Sequence, residues 1–285
     1  MSDRRWDVEV LHTQVLYPVV RVRSKNAGGS GTIIFSGQNA EGEYETYVLT
    51  NHHVIENAIE VKKQWDSMLG REVKKEFKSL VQVELFKYKY WSRMVGGTVI
   101  DAEIVAYDAP QDLALLKLRS IDKVEHVAYL YPKDKIKELH VFDQVIAVGA
   151  ALGAPPLPTV GHICNLDIEI DNYLYGLSTA LTIYGNSGGA LFRWSEERNR
   201  WELVGVPSRI QVILQGFSAQ AITHMGYFIP IERIYNFLDE WCYQFIYDPN
   251  YTIEECNKMR QEKKKKAEEE LKRIYGVVEE SETVE

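Results

Sequence analysis

The chain has 285 residues, 45% of them apolar, and a formal net charge of −8. That length and apolar share suit one large domain or two small lobes around a buried core, and they exclude disorder as the default state. The negative balance excludes bulk attraction to nucleic acid, and no segment has the length of an apolar membrane span.

Three widely spaced cysteines, Cys164, Cys242 and Cys256, make neither a disulfide framework nor a metal-ligand pattern. Cys242 reads as a buried free thiol in an apolar helical stripe. The first residues contain no apolar core of signal-peptide length, so the expectation is a soluble, cytoplasmic chain without a membrane partner.

Residues 8–34 carry short runs of Val, Leu, Tyr and Ile broken by Asn26-Ala27-Gly28-Gly29-Ser30-Gly31, which predicts two strands joined by a glycine loop. Trp6 and Tyr17 read as packing aromatics, with an anchor for a second subunit as the alternative. A strand over 44–50 runs into Asn51-His52-His53-Val54-Ile55. Adjacent histidines on an extended chain face opposite ways, so a metal site made from the pair is not expected. Residues 61–93 interleave lysines with Trp65, Tyr88, Tyr90 and Trp91, a combination that can stack bases and meet phosphates. The near alternation of Val81, Val83, Leu85, Tyr88 and Tyr90 with polar residues predicts instead a half-buried strand pair with one solvated face.

Residues 96–107 form another alternating strand, 108–111 a turn, and Asp112 heads the apolar run Leu113-Ala114-Leu115-Leu116-Lys117-Leu118. A carboxylate so placed needs a hydrogen-bond donor, from its own loop or from a histidine. Residues 119–140 read as the connection between lobes. The strand and glycine turn of 143–153 lack the following helix that a dinucleotide site requires. Short strands over 162–169, 177–183, 190–194, 201–206, 211–214 and 226–230 complete an all-β pattern. Beyond Pro230 the period changes: Ile231, Ile234, Tyr235, Leu238, Trp241, Cys242 and Phe245 mark an amphipathic helix over 231–246 docked on the β body. Thr252 and Glu255 form a capping box at the start of a charged helix over 251–276, ending near Gly276, and the acidic tail 277–285 is expected to be disordered.

The chemistry concentrates in Tyr184-Gly185-Asn186-Ser187-Gly188-Gly189-Ala190-Leu191. A serine hydroxyl attacks only when a base takes its proton and donors stabilise the oxyanion, and glycines let backbone N–H groups come close. The same composition also makes an ordinary turn. The order His53, Asp112, Ser187, each in a suitable setting, matches one convergent arrangement for acyl transfer. The nucleophile elbow of α/β-hydrolases fits poorly, because the surrounding chain is β and only His224 follows the serine.

The blocks Leu49-Thr50-Asn51-His52-His53-Val54-Ile55, 112–118 and Gly185-Asn186-Ser187-Gly188-Gly189-Ala190-Leu191 resemble the signatures of chymotrypsin-fold serine proteases, most closely the HtrA (Deg) type. The resemblance extends through Gly29-Ser30-Gly31-Thr32, Val145-Ile146-Ala147-Val148-Gly149, Leu203-Val204-Gly205-Val206 and Gly226-Tyr227-Phe228-Ile229-Pro230. It implies an all-β fold of two six-stranded antiparallel barrels with C-terminal helices. The protease domain would span 8–246, with the first barrel at about 8–120 and the second at about 140–230. It also implies a serine endopeptidase with a protein or peptide substrate, no cofactor, no metal and no nucleic-acid partner, and a homo-oligomer, by likeness a trimer. His53, Asp112 and Ser187 would be the triad, and the N–H groups of Gly185 and Ser187 the oxyanion hole.

The segment Leu181-Thr182-Ile183-Tyr184 would line the primary pocket, Leu181 at its base and Gly226 on its wall. A substrate strand would lie along Ser208-Arg209-Ile210. With no acidic residue at the pocket, an apolar residue is expected before the cut. Asn186 stands where digestive proteases carry an aspartate that pairs with a new N-terminus, so activation by that cleavage is not expected. By this resemblance the charged helix would stand where a PDZ domain usually follows an HtrA protease domain, so regulation by peptide capture there is not expected. A catalytically silent, protease-like binding scaffold is the alternative.

Overall fold

The computed structural model describes residues 3–66, 71–216 and 218–274. Helix α1 (Val8–Leu11), prolonged by a π turn over His12–Leu16, precedes β1 (Val19–Ser24) and β2 (Ala27–Gln38). Strand β3 (Tyr44–Thr50) leads into the single turn α2 (His52–Ile55). There follow β4 (Ile59–Asp66), β5 (Arg71–Lys78), β6 (Val81–Lys89), β7 (Arg93–Asp108) and β8 (Leu113–Leu118). The second half contains β9 (Tyr129–Leu130), β10 (Gln144–Gly149), β11 (Leu157–Ile170), β12 (Tyr173–Ser178), β13 (Ala190–Ser195), β14 (Arg200–Gln215) and β15 (Ser218–Pro230). Helices α3 (Ile231–Glu240) and α4 (Ile253–Ile274) complete the described chain.

The first sheet closes as β1-β2-β3-β8-β7-β6, a six-stranded antiparallel barrel. The second runs β13-β10-β11-β12-β15-β14, and β13 also pairs with β14, so its ends meet; β9 adds to β14 in parallel. The fold is therefore all-β, with helices at the C-terminal end.

Alternation along the strands explains how the two halves dock. In β8, Ala114, Leu116 and Leu118 fill the first barrel with Val20, Val22, Val48 and Val83. Leu113 and Leu115 point the other way, into a core shared with Tyr47, Leu49, Val145, Val148, Phe192 and Phe237. A strand buried on both faces reads as a continuous apolar run, which is what 113–116 is, before Lys117 turns to Glu45. Helix α3 lies on this shared core, and its buried Arg233 donates to the carbonyls of Gln111 at 2.8 Å and Leu174 at 3.1 Å. The residue before Asp112 is thereby tied to the helix.

Several elements differ from the sequence reading. Residues 8–16 are helical, because Asp7 accepts from the N–H groups of Glu9 and Val10 and caps the turn. The glycines expected in a loop lie inside β2, where a Cβ at Gly29 or Gly31 would sit 2.6 Å from Val54 or Val48. They permit close strand packing, and the turn is Lys25-Asn26. Residues 61–93 contribute to two hairpins, β4–β5 as a separate sheet and β6–β7 within the barrel. The strand expected over 177–183 ends at Ser178. The separate strands expected over 201–206 and 211–214 are one, β14.

Trp6 packs edge-on against Trp201, and Tyr17 stacks on Tyr88 while donating to the Trp91 carbonyl at 2.7 Å. Both aromatics pack within the chain. The capping box forms reciprocally, Thr252 N–H to Glu255 at 2.8 Å and Glu255 N–H to Thr252 Oγ1 at 3.2 Å. The expected helix end near Gly276 and the tail 277–285 lie outside the described residues.

Leu115 is fully buried at the junction of the two halves. Leu115→Ala is expected to cost about 2–5 kcal/mol in urea unfolding; a loss within about 0.5 kcal/mol would mean the junction is not a packed core.

Candidate active site

Three loops converge where the two sheets meet. His53 lies in the turn α2, immediately after β3, with Asn51 as the extended residue that starts the turn. Its Nδ1 is 2.9 Å from both carboxylate oxygens of Asp112, and its backbone N–H donates to Asp112 Oδ1 at 3.0 Å. His52 takes the other direction and stacks on Tyr107. The extended-chain premise fails, because both histidines lie in the helical turn, but the pair still divides, one facing Asp112 and one packing on Tyr107.

Asp112 sits in the left-handed region, φ 56°, in the tight link between β7 and β8. Asn51 Nδ2 donates to its carbonyl at 2.8 Å, and Ser208 Oγ donates to its Oδ2 at 2.6 Å. Burial pushes the Asp112 carboxyl up; the hydrogen bonds from His53 and Ser208 and the nearby imidazole outweigh burial and hold it below the usual carboxylate range. The group is therefore an anion at neutral pH, fixed on Nδ1 of His53.

Ser187 lies between Asn186 and two glycines at the entrance to β13. Its carbonyl accepts from Ser30 N–H at 2.8 Å, and its hydroxyl donates to the Ser208 carbonyl at 3.3 Å. Among the described residues no hydrogen bond joins Ser187 Oγ to His53. The following Gly188 has φ +82°, and a Cβ there would lie 2.2 Å from the Ser30 carbonyl oxygen and 2.3 Å from Thr50 Oγ1. Only glycine fits that position.

The geometry around Gly185 is the most constrained. Its φ is +98°, and a Cβ would meet the Ala150 carbonyl oxygen at 2.5 Å. The Tyr184 carbonyl accepts from Leu152 N–H at 2.8 Å. Because C=O and N–H point to opposite sides of a trans peptide, the Gly185 N–H is directed away from the Leu152 turn. On its other side the Gly185 carbonyl accepts from Ser30 Oγ at 2.6 Å, and the same hydroxyl accepts from Ala150 N–H at 2.7 Å. Among the described residues neither the Gly185 nor the Ser187 N–H has a hydrogen-bond acceptor. A carboxylate-held imidazole, a hydroxyl and two free amides together are equipment for acyl transfer.

The expected pocket is only partly as read. Leu181 is 52% exposed, so it is not the base of a pocket; its carbonyl accepts from Thr159 Oγ1 at 2.8 Å, which holds that loop outward. Thr182 is buried instead, and a Cβ at Gly226 would meet its Oγ1 at 2.5 Å. The threonine fills the room that Gly226 leaves. Ile183 donates its N–H to the buried Asn186 side chain at 3.2 Å, and Tyr184 is exposed. Ser208 falls at a register break between β14 and β15, Arg209 pairs with Asp171 at 2.9 Å, and Ile210 continues the strand opposite Gly226.

Sequence reasoning missed Ser30, Asn51, Ala150, Leu152 and the hydroxyl of Ser208. Ser30 carried a signal: a serine between glycines on an apolar strand marks close backbone approach and a polar contact inside the approach.

Residues 29–206 match the trypsin-like peptidase domain, and the chain belongs to that family. It is 28% identical over 218 residues to a probable periplasmic serine endoprotease DegP-like of Ectopseudomonas mendocina, covering 75% of this chain and 35% of that one. It is 28% identical over 188 residues to the periplasmic pH-dependent serine endoprotease DegQ of Escherichia coli, covering 64% and 31%. A solved HtrA-type protease, AlgW with a tripeptide, superposes with a TM-score of 0.55 at 20% identity, covering 82% of this chain and 63% of that one. The chain spans about a third of the length of the curated relatives it matches. Those relatives are named as periplasmic, which overturns the cytoplasmic expectation; an N-terminal stretch without a signal-peptide pattern was too little to carry it. Among the described residues no helix is long and apolar enough to cross a membrane.

Ser30 is fully buried and its hydroxyl serves two backbone groups of the second half. Ser30→Ala leaves both unpaired and is expected to cost about 1–3 kcal/mol in urea unfolding. A variant as stable as the parent would show that the bridge carries no weight.

Proposed function

We propose that this chain is a serine endopeptidase that cuts proteins through an acyl-enzyme, with His53, Asp112 and Ser187 as its triad. The observation that carries the reading is the Asp112 carboxylate fixed on His53 Nδ1 beside a serine loop with two free amides. In this account Asp112 fixes the tautomer with the proton on Nδ1, which leaves Nε2 to take the proton of Ser187 Oγ. Oγ attacks the substrate carbonyl, and the resulting oxyanion is received by the Gly185 and Ser187 N–H groups, worth typically about 3–4 kcal/mol per donor. His53 then gives its proton to the leaving amine, and water repeats the sequence on the ester.

The Ser208 carbonyl takes part in two ways. Its register break frees it for a substrate strand lying along Ser208-Arg209-Ile210. A substrate N–H donated to that carbonyl competes with the Ser187 hydroxyl, which then turns to His53. Thr182 set against Gly226 supports a shallow primary pocket and a small apolar residue before the cut.

The resting bond from Ser187 Oγ to the Ser208 carbonyl is the one observation that favours a silent scaffold. A fluorophosphonate separates the two readings, since it needs both an activated serine and an oxyanion site. The endopeptidase is expected to label at Ser187 and to degrade an unfolded protein, with both activities lost in Ser187→Ala; Asp112→Asn should lower turnover by about 10⁴-fold. Folded protein that neither labels nor cleaves is the scaffold.

A further inference from the structure

A groove of about 330 Å3 opens beside Gly185, lined by Arg21, Arg23, Gly28, Gly29, Leu152 and Tyr184 among others. We propose that it binds an acidic side chain of the peptide segment on the leaving-group side of the cut, with Arg23 as the residue that reads the carboxylate. The assignment of sides rests on the endopeptidase reading; the charge of the groove does not.

Position comes first. Ser187 stands between Ser208, whose carbonyl holds its hydroxyl, and Gly29, where a Cβ would lie 2.9 Å from the Ser187 carbonyl oxygen. A peptide that runs along Ser208-Arg209-Ile210 and presents a carbonyl to Ser187 must continue over Gly29 and Gly28. Above Gly28 there is room: a Cβ built there meets only the Val22 carbonyl oxygen, at 3.4 Å.

The charge follows from strand alternation. In β1, Val20 and Val22 are fully buried in the barrel, so Arg21 and Arg23 take the opposite face. The register sets Arg21 opposite Ser30 and Arg23 opposite Gly28, on the side of the Gly185 loop. Arg21 is committed: its Nε and a terminal nitrogen bond Glu84 Oε2, and the other terminal nitrogen bonds the Gly153 carbonyl. Arg23 reaches the same Glu84 oxygen at 3.3 Å, and its side chain is 49% exposed. Two guanidinium groups thus share one carboxylate, and no Asp or Glu is among the described residues that line the groove. One positive charge remains for a ligand in a chain whose overall charge is −8. A guanidinium fork fits a carboxylate with two parallel N–H bonds, and the Leu152 and Tyr184 side chains offer apolar cover for its stem.

The test uses three internally quenched peptides that differ only in Glu, Gln or Lys at the second residue after the cut. At low salt, kcat/KM is expected to be about fivefold higher for Glu than for Gln and lower still for Lys, with the ratio shrinking as salt rises. Arg23→Gln should bring the Glu-to-Gln ratio to about one, and Arg23→Glu should favour Lys. The same peptides are then bound to full-length Ser187→Ala by fluorescence anisotropy, where Glu over Gln is expected to persist by the same factor. Equal binding of Glu and Gln, or a Glu preference that survives Arg23→Glu, overturns the groove. Absence of cleavage together with Glu-selective binding overturns the endopeptidase reading and leaves the groove standing.

Discussion

A trans peptide carries its C=O and N–H on opposite sides, and Gly185 lies between two peptides whose carbonyls are both occupied. Leu152 N–H holds the carbonyl before it and Ser30 Oγ holds its own. With both planes fixed and φ at +98°, a conformation open to glycine, the Gly185 N–H has one direction left. That direction leaves the Gly185 N–H without an acceptor among the described residues. The constraint also crosses the molecule. Ser30 belongs to the first barrel and Ala150, Leu152 and Gly185 to the second half, so the site exists only when the two halves are docked.

The acid side of the site has the same cross-connected character. Asp112 comes from the first barrel, but Ser208 of β14 supplies one of its donors and Arg233 of α3 holds the carbonyl before it. Burial alone would favour the neutral carboxyl; three donors, two from His53 and one from Ser208, reverse that. The carboxylate is thus stabilised by both halves, and its partner histidine stays 42% exposed toward the cleft. A buried carboxylate thus stands behind an accessible imidazole.

Legibility in the sequence followed how local the cause was. The β8 strand, the amphipathic α3 and the Thr252–Glu255 cap were readable because each depends on nearest neighbours: period, apolar run, capping spacing. The helix expected over 231–246 nevertheless ends at Glu240, with Cys242 at φ 56° breaking it before a short turn over Gln244–Ile246. The triad candidates were readable because their residue types stand in a recognisable order, and the structure brings His53 and Asp112 together. Residues 8–16 were misread because one carboxylate, Asp7, outweighed a β-prone composition. The glycines of β2 were misread as a loop because close packing against Val48 and Val54 is not visible along the chain. Leu181 was misplaced for the same reason: the loop is held outward by Thr159, 22 residues away. Ser30 needed the docked halves to show its use.

Leu152 and Ser30 hold the Gly185 N–H in its direction before any substrate arrives. The most direct measurement is a stopped-flow burst on a small activated ester that carries no peptide to pair with β14 or to fill the groove. An amide held in that way gives an immediate burst of leaving group with an amplitude near one per chain, from protein that has met no peptide. A lag that disappears only after a peptide is added would show that the amide is turned by the ligand and not by Leu152 and Ser30.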